Sequence, residues 1–250
     1  MCRHLAYLGA PAPLARWLID PPHSLVHQSW APRDMRGGGT INADGFGVGW
    51  HVPGGGTVRY RRPTPIWSDT TLPALAASVS SGAVLAAVRS ATAGMPVTET
   101  AAAPFSEGPW LFSHNGVVTG WPGSVAELAA ALPTEDLLTL EAPTDAALLW
   151  ALVRDRLRAG LSPAAAVSAV VSDVAAAAPG SRLNLLLTDG DTIVATAVGH
   201  ALSVRSGAGF VLVASEPLDV HPAWQPVPDQ TLLIATATAA GVTITELGDR

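Results

Sequence analysis

The stretch DAALLWALVRDRLRAG (residues 145–160) and the following SPAAAVSAVVSDVAAAA (residues 162–178) predict two consecutive helices near the middle of the chain. Ser162 can cap the second helix, Pro163 suits its first position, and Pro179 can end it. On both sides of this helical block the sequence changes to short apolar runs between turns rich in glycine and proline, which is typical of strands. The block therefore separates two groups of strands.

The strand candidates occur before and after this block. A Pro-Gly-Gly-Gly turn (residues 53–56) and an Asp-Gly turn (residues 189–190) each connect two of them, which favours hairpins. Two further helices are predicted at residues 72–80 and 124–132. Because strands and helices are grouped and do not alternate, the order predicts an α+β fold with two sheets covered by helices. The strands are predicted within residues 45–52, 57–62, 83–89, 110–115, 183–199, 210–215 and 231–237.

The composition restricts the classes of function. The chain has 250 residues, of which 48% are apolar, so it can bury a sizeable core, and we expect one domain over residues 2–250. The net charge is −6 and all 14 cationic residues are arginine, so we expect no nucleic-acid partner and no membrane-surface partner. The absence of lysine excludes Schiff-base chemistry and lysine general bases.

The single cysteine bears on the compartment. Cys2 cannot form an internal disulfide, which fits a reducing cytoplasm. The apolar LAYLGAPAPLA (residues 5–15) does not fit a secretion signal, because the basic region before it is weak and prolines interrupt it. No stretch approaches the roughly 20 apolar residues of a transmembrane helix. We expect a cytoplasmic protein, with a homo-oligomer as one quaternary state that the sequence permits.

The position of Cys2 suggests a nucleophile. Methionine aminopeptidases remove Met1 when the next residue is small, and Cys2 would then carry both a thiol and a free α-amine. The unperturbed pKa of such an amine is about 7.7 to 8.0, so the amine can take the thiol proton near neutral pH. The alternative is a cysteine without a role close to a frayed end of the chain.

Three further motifs supply candidate groups for substrate. RSATAG begins with Arg89, which follows a predicted strand and can present its guanidinium to a carboxylate. In HNG, Asn115 and the backbone N–H of Gly116 can form the donor pair of an oxyanion hole. Asp145, at the start of a predicted helix, can bind an ammonium group. Each motif also has a structural explanation, namely a surface arginine, an Asn-Gly turn, and a helix cap from Thr144 or Asp145.

No metal or other cofactor is expected. His23 and His27 lie four residues apart, but prolines precede them and no acidic residue is close in sequence. The glycines of NADGFGVGW are not followed by a helix, which argues against a dinucleotide site. The serine-hydrolase motif G-x-S-x-G is absent from the sequence.

Taken together and in this order, an N-terminal MC, NADGFGVGW, RSATAG, HNG and an aspartate at a helix start resemble the class II glutamine amidotransferases, which are N-terminal-nucleophile hydrolases. The resemblance covers the chain up to about Trp150, and ASEPL (residues 214–218) is similar to a later feature of the family. It implies a four-layer αββα sandwich of two mainly antiparallel sheets, and no metal.

The resemblance also implies roles for the matching residues. Cys2 would be the nucleophile, its α-amine the base, and Asn115 with the backbone of Gly116 the oxyanion hole. A small-molecule γ-glutamyl substrate would be the partner. The residues implied to bind that substrate are Arg89 at its α-carboxylate, Asp145 at its α-ammonium and Thr92 as a supporting residue of the pocket.

Two departures favour a stand-alone amidohydrolase. Family members that supply ammonia to a partner often carry an aromatic residue and a histidine where this sequence has Ser90 and Ala93, and we find no synthase domain in the 250 residues. The stretches MCRHLAYLG, PPHSLVHQSWAPR and NADGFGVGW resemble the branch of the family in ergothioneine biosynthesis, which removes glutamate from γ-glutamyl-hercynylcysteine S-oxide. That substrate carries a trimethylammonium group, which an aromatic face suits, and we expect Trp30 and Trp121 to line its site.

Three other functions remain as alternatives. The first is a glutaminase subunit that supplies ammonia to a separate synthase. The second is an N-terminal-cysteine acylase of the penicillin or bile-salt type, which the pair of HNG and RSATAG motifs disfavours. The third is a catalytically silent γ-glutamyl-binding module, which the intact nucleophile disfavours.

Overall fold

The computed structural model describes residues 2–34, 36, 41–237 and 241–247, so the expected removal of Met1 falls outside the described residues. The described residues form 13 strands and seven α-helices, with three short 3-10 turns between them. The strands are β1 (Arg3–Pro13), β2 (Phe46–His51), β3 (Thr57–Arg62), β4 (Ser80–Val88), β5 (Phe105–Glu107), β6 (Trp110–Val117), β7 (Arg182–Thr188), β8 (Thr192–Ala197), β9 (Ser203–Gly207), β10 (Phe210–Ala214), β11 (Gln225–Pro226), β12 (Thr231–Thr236) and β13 (Val242–Glu246). The helices are α1 (Ala15–Leu18), α2 (Leu25–Gln28), α3 (Leu72–Ser78), α4 (Ala126–Ala130), α5 (Thr134–Leu138), α6 (Asp145–Arg158) and α7 (Pro163–Ala177).

The first sheet has seven strands in the order β11-β9-β10-β1-β4-β2-β3, and its neighbours pair antiparallel. Arg3 of β1 and Phe46 of β2 both lie opposite Val88, the last residue of β4. The starts of β1 and β2 and the end of β4 therefore share one end of this sheet. Cys2 precedes β1 and Arg89 follows β4, so the pairing brings both to that end.

The second sheet has six strands in the order β13-β12-β8-β7-β6-β5, and its neighbours also pair antiparallel. The HNG motif lies within β6, in the body of the strand, where Asn115 is opposite Asn184 of β7. The Asn-Gly pair is thus part of a strand and does not form a turn.

Three apolar cores hold four layers together. Leu8 and Leu85 of the first sheet pack with Leu111 and Leu186 of the second sheet, which forms the core between the sheets. A second core joins the second sheet to α6 and α7, and a third joins the first sheet to α1, α2 and α3. The result is a four-layer αββα sandwich, as expected. Among the described residues, no helix is long and apolar enough to cross a membrane.

The two long helices begin where the sequence predicts. The hydroxyl oxygen of Thr144 accepts a hydrogen bond from the Ala147 N–H (3.2 Å), and Ser162 does the same for the Ala165 N–H (3.3 Å). Thr144 is therefore the cap of α6, which leaves the carboxylate of Asp145 available for other contacts. The helix predicted at residues 124–132 is shorter, with a 3-10 turn followed by α4.

The sequence analysis did not predict β1, the central strand of the first sheet. Leu5, Ala6 and Tyr7 are all buried, because neighbouring strands flank β1 and both faces are covered, so its polarity does not alternate. Two prolines lie at its far end, Pro11 within an irregularity in the pairing between Leu8 and Ala12, and Pro13 just beyond it. Because proline is depleted inside strands, Pro11 and Pro13 argued against a strand when the sequence was considered alone.

Candidate active site

A small, open pocket lies at the end of the first sheet that carries Cys2. Its walls come from both sheets and from the start of α6. Of the eight site residues expected from the sequence, the pocket brings together Cys2, Arg89, Thr92, Gly116 and Asp145.

Cys2 is half-buried beside the segment that follows β4. Its thiol donates a hydrogen bond to the backbone oxygen of Ser90, with 3.7 Å between the two atoms. The thiol therefore lies at the pocket wall, next to the residue after Arg89.

Arg89 is buried and firmly held, and 9% of its surface is exposed. Its backbone N–H donates to Gly45 O (2.8 Å) and its carbonyl accepts from Asp44 N–H (3.0 Å). Nη1 donates to the backbone oxygen of Pro96 at 2.8 Å. These contacts use one terminal nitrogen of the guanidinium, so the rest of the fork is available to a carboxylate in the pocket.

Asp44 is a residue of the site that the sequence analysis did not single out. Its Oδ2 accepts a hydrogen bond from the backbone N–H of Ala91 (2.8 Å), which ties the NADG segment to the loop carrying Thr92. The same loop turns at Gly94, whose φ of +89° favours glycine. The only signal in the sequence was the position of Asp44 directly before the glycine-rich strand.

The HNG motif divides between the two faces of β6, because successive side chains of a strand point to opposite sides. His114 and Gly116 line the pocket, and His114 Nε2 donates to the backbone oxygen of Arg182 (3.0 Å). A Cβ on Gly116 would overlap that same carbonyl oxygen, so the strand needs glycine there. Asn115 points to the other side, where its Nδ2 donates to Ser215 Oγ (3.2 Å). The structure thus places Asn115 next to the pocket and not in its lining.

Asp145 places a carboxylate in the pocket wall at the start of α6. Its Oδ2 accepts from the Val118 N–H (3.1 Å), and its Oδ1 accepts from the Ala146 N–H (2.8 Å). Only 6% of the residue is exposed. Each carboxylate oxygen can accept a further hydrogen bond, so the group is oriented and still able to bind an ammonium group.

Two buried histidines lie close to the site. Burial, followed by the charges of His114, His200 and Arg3, lowers the pKa of His4 to about 3. Burial, followed by the charge of Arg182, lowers the pKa of His200 to about 3. Both rings are neutral near pH 7, and neither lines the pocket with Cys2.

The expected tryptophans are separate from the pocket lining. The ring of Trp30 makes edge contacts with His27 (centroids 5.6 Å apart) and with Trp67 (5.8 Å). Trp30 and Trp67 are 43% and 42% exposed, so both rings present an open surface. Trp121 packs as a half-buried residue against the core between the second sheet and its helices.

The described residues contain no cluster of three or more His, Cys, Asp or Glu side chains that could hold a metal ion. His23 does have an acidic partner, Glu216, which comes from a distant part of the chain. The pocket offers a thiol, a guanidinium, a carboxylate and backbone groups as its chemistry.

Comparison with known families agrees with this arrangement. A sequence model of the glutamine amidotransferases class-II family matches residues 20–214. The chain belongs to this family. The chain is 42% identical over 93% of its length to the gamma-glutamyl-hercynylcysteine sulfoxide hydrolase of Mycolicibacterium smegmatis, of which the match covers 95%. It is 40% identical over 99% of its length to the protein of the same name from Mycobacterium tuberculosis, of which 97% is covered.

Solved structures agree with this fold. A glutamine aminotransferase class-II domain protein from Silicibacter pomeroyi matches 99% of the chain, with all of that protein covered, a TM-score of 0.71 and 23% identity. The match with the glutamine phosphoribosylpyrophosphate amidotransferase of Bacillus subtilis covers the whole of this chain and half of that protein, with a TM-score of 0.67 and 15% identity. At these identities the likeness concerns the fold alone, and it agrees with the four-layer αββα sandwich.

Proposed function

We propose that this protein is an amidohydrolase that cleaves the γ-glutamyl amide bond of γ-glutamyl-hercynylcysteine S-oxide, releasing glutamate and hercynylcysteine S-oxide in ergothioneine biosynthesis. The observation that carries the proposal is the pocket that holds the thiol of Cys2 together with Arg89 and Asp145. The two relatives that match nearly the whole chain bear the name of this hydrolase, which supports the choice of substrate.

The pocket suits the glutamyl half of the substrate. The guanidinium of Arg89 binds the α-carboxylate, and the carboxylate of Asp145 binds the α-ammonium group. The two groups have opposite charge and both are buried, so they fix an α-amino acid in one orientation. Thr92 lines the same pocket. This orientation presents the γ-carbonyl carbon to the thiol.

The residues define a complete route for hydrolysis. With Met1 removed, the α-amine of Cys2 takes the thiol proton, and the sulfur attacks the γ-carbonyl carbon. The tetrahedral intermediate expels the amine of the leaving group, which takes a proton, and a γ-glutamyl thioester remains on Cys2. Water then attacks the thioester, releases glutamate and returns the proton to the thiol.

Asn115 and Gly116 supply the donors for the oxyanion. The backbone N–H of Gly116 provides one donor at the pocket wall. The second donor is Asn115 Nδ2, which lies next to the pocket on its hydrogen bond to Ser215 Oγ and has to turn towards Cys2 on substrate binding to reach the oxyanion.

We propose Trp30 and Trp67 as the aromatic surface for the trimethylammonium group. Trp67 lies in a 3-10 turn (Ile66–Ser68) shortly after β3, whose last residue, Arg62, pairs with Phe46. That is the sheet end shared with Cys2 and Arg89, and we propose that the leaving group extends from the pocket towards this aromatic pair. The half-exposed rings offer π faces to a cation. Trp121 packs against the core between the second sheet and its helices, so its ring has no comparable open face.

The proposal is tested by turnover of γ-glutamyl-hercynylcysteine S-oxide and of glutamine by the purified protein, with Cys2→Ala as the inactive control. We expect glutamate release from the sulfoxide to be much faster and to disappear in Cys2→Ala. Equal or faster hydrolysis of glutamine would overturn the substrate assignment and favour a glutaminase subunit.

The aromatic surface has a separate test. Trp30→Ala and Trp67→Ala should each raise the KM for the sulfoxide by roughly 2- to 30-fold, as expected for loss of a cation–π contact. The KM for glutamine, which lacks the cation, should stay the same. Trp224→Ala, in a tryptophan that contacts Asp219 on another part of the surface, is the matched control. An equal rise in the KM for both substrates would contradict the assignment.

A further inference from the structure

Arg3, the residue directly after the nucleophile, is almost completely buried, with 2% of its surface exposed. Its side chain turns back towards Cys2, and Nη1 donates a hydrogen bond to the backbone oxygen of Cys2 (2.9 Å). Nη2 of the same guanidinium contacts the backbone oxygen of Asp34. Arg3 thus joins the start of β1 to the segment that follows α2.

Glu216 holds this guanidinium in place. Its Oε1 accepts from Arg3 Nε (2.7 Å), and its Oε2 is 2.6 Å from His23 Nε2. The backbone N–H groups of Arg33 (2.8 Å) and Asp34 (3.2 Å) also donate to the carboxylate. Glu216 is 3% exposed and His23 is fully buried, so the group is a built network inside the protein. These hydrogen bonds and the nearby charge of Arg3 lower the pKa of Glu216 to about 2, against the effect of burial.

Stability alone does not account for such a network. A buried ion pair costs desolvation energy, and apolar residues of similar volume often stabilise a protein as well or better. What this pair supplies is direction, because each of the three guanidinium nitrogens of Arg3 donates to a different acceptor, and the planar group fixes the geometry of all three. The group that it fixes here is the peptide carbonyl of the nucleophile.

We propose that Arg3, oriented by Glu216 and His23, is a positioning residue for the nucleophile Cys2. The inference rests on the proposed function, in which Cys2 attacks the γ-glutamyl carbonyl. The hydrogen bond from Arg3 fixes the peptide plane after Cys2, while the contact with Ser90 O fixes the thiol. Together they set the angle at which the sulfur and the α-amine face the bound substrate. A displacement of about 1 Å in such a geometry can cost about 100-fold in rate.

The test compares Arg3→Lys and Glu216→Gln with the unchanged protein, using a chromogenic γ-glutamyl anilide as the probe. Lysine keeps the charge of Arg3 but cannot bind Glu216, Cys2 O and Asp34 O at once. Arg156→Lys is the matched control, because Arg156 pairs with Asp173 at the outer helices. We expect kcat to fall about 10- to 100-fold in both variants, with KM within about threefold of the original value, since Arg89 and Asp145 are untouched.

Thermal unfolding and circular dichroism of each variant separate this role from a purely structural one. A folded Arg3→Lys protein with lower Tm and unchanged kcat would overturn the inference. His23→Gln loosens Glu216 from the opposite side and keeps Arg3 intact, so it serves where Arg3→Lys does not fold, and we expect the same loss in kcat at constant KM. If His23→Gln keeps full kcat, the network does not position the nucleophile.

The two proposals fail in distinguishable ways. Full activity in Cys2→Ala would remove the nucleophile and with it the proposed function. Loss of activity in Cys2→Ala, together with full kcat in Arg3→Lys and Glu216→Gln, would remove only the positioning role.

Discussion

Asp145 illustrates how one side chain becomes available for binding at the start of a helix. Thr144 caps α6, and the Asp145 carboxylate is oriented by the N–H groups of Val118 and Ala146. A negative group at a helix N-terminus is also stabilised by the helix dipole. Helix capping alone therefore does not explain this buried aspartate, whose carboxylate faces the pocket.

The charge of Asp145 should matter for substrate binding. Asp145→Asn keeps the shape of the side chain and removes the charge that binds the α-ammonium group. Because a hydrogen bond to a charged group contributes about 1.5–3 kcal/mol, we expect KM for γ-glutamyl substrates to rise about 10- to 100-fold. The measurement is steady-state kinetics, with Asp136→Asn as control, since Asp136 pairs with Arg154 and Arg158 away from the pocket. An unchanged KM in Asp145→Asn would rule out this role.

At the scale of single elements, β6 needs glycine within the HNG motif. In Gly116→Ala, the new Cβ would overlap the backbone oxygen of Arg182 on β7. Neighbouring strands would have to separate, so we expect a destabilisation of about 1–3 kcal/mol and a loss of activity. Thermal or urea unfolding measures the change. Gly123→Ala is the control, since a Cβ there meets no atom within 4 Å. Equal stability of the two variants would show that β6 does not require glycine.

The loop after β4 depends on Asp44. Asp44→Ala removes the hydrogen bond to Ala91 N–H and should leave the sheet intact. We expect kcat/KM to fall about tenfold, because a charge-assisted hydrogen bond contributes about 1.5–3 kcal/mol and part of the loss is recovered when substrate orders the loop. Asp189→Ala is the control, since the Asp189 carboxylate also accepts hydrogen bonds from backbone N–H groups, but in the turn between β7 and β8. A similar loss in both variants would contradict the local role of Asp44.

The elements that the sequence predicted best were those with local signals. The caps Thr144 and Ser162 and the Asp-Gly turn at residues 189–190 each act through hydrogen bonds within a few residues, so the sequence reveals them. β1 was missed because its burial depends on the neighbouring strands and on the layers that cover both faces of its sheet, and not on alternation in its own sequence. The paired α1 and α2 are four residues each, too short for a periodic pattern.

At the scale of the whole molecule, the site combines residues that are far apart in the chain. The pocket residues Cys2, Arg89, Gly116 and Asp145 were expected from their motifs, and the family resemblance supplied the order that connects them. The roles of Glu216 and Trp67 were not expected, because each side chain contacts a residue that is distant in the sequence. Glu216 lies 213 residues from Arg3, and no periodic pattern in the sequence indicates a contact over such a distance.

The buried histidines should make the whole molecule less stable in acid. His4 and His200 have a pKa of about 3 in the folded protein, whereas an unfolded histidine titrates near 6.5. Between these values the unfolded chain binds more protons, so the free energy of unfolding falls as the pH is lowered through this window. We expect each histidine to contribute a loss of about 2 kcal/mol between pH 7 and pH 5.

Urea unfolding at the two pH values measures this loss. His200→Gln is the informative variant, because the amide oxygen of glutamine can still accept the hydrogen bond from Arg182 Nε but does not titrate. We expect the pH dependence to be clearly smaller in His200→Gln. The same pH dependence in both proteins would mean that His200 does not remain neutral in the folded state.

The central claim is that Cys2, with a free α-amine, is acylated by the substrate. The most direct measurement is mass spectrometry of the N-terminal peptide, recovered in acid after brief mixing with γ-glutamyl-hercynylcysteine S-oxide. We predict a peptide that begins at Cys2 and carries one added γ-glutamyl group, with no such adduct in Cys2→Ala. A peptide that retains Met1 in the active protein, or turnover without an adduct on Cys2, would contradict the account.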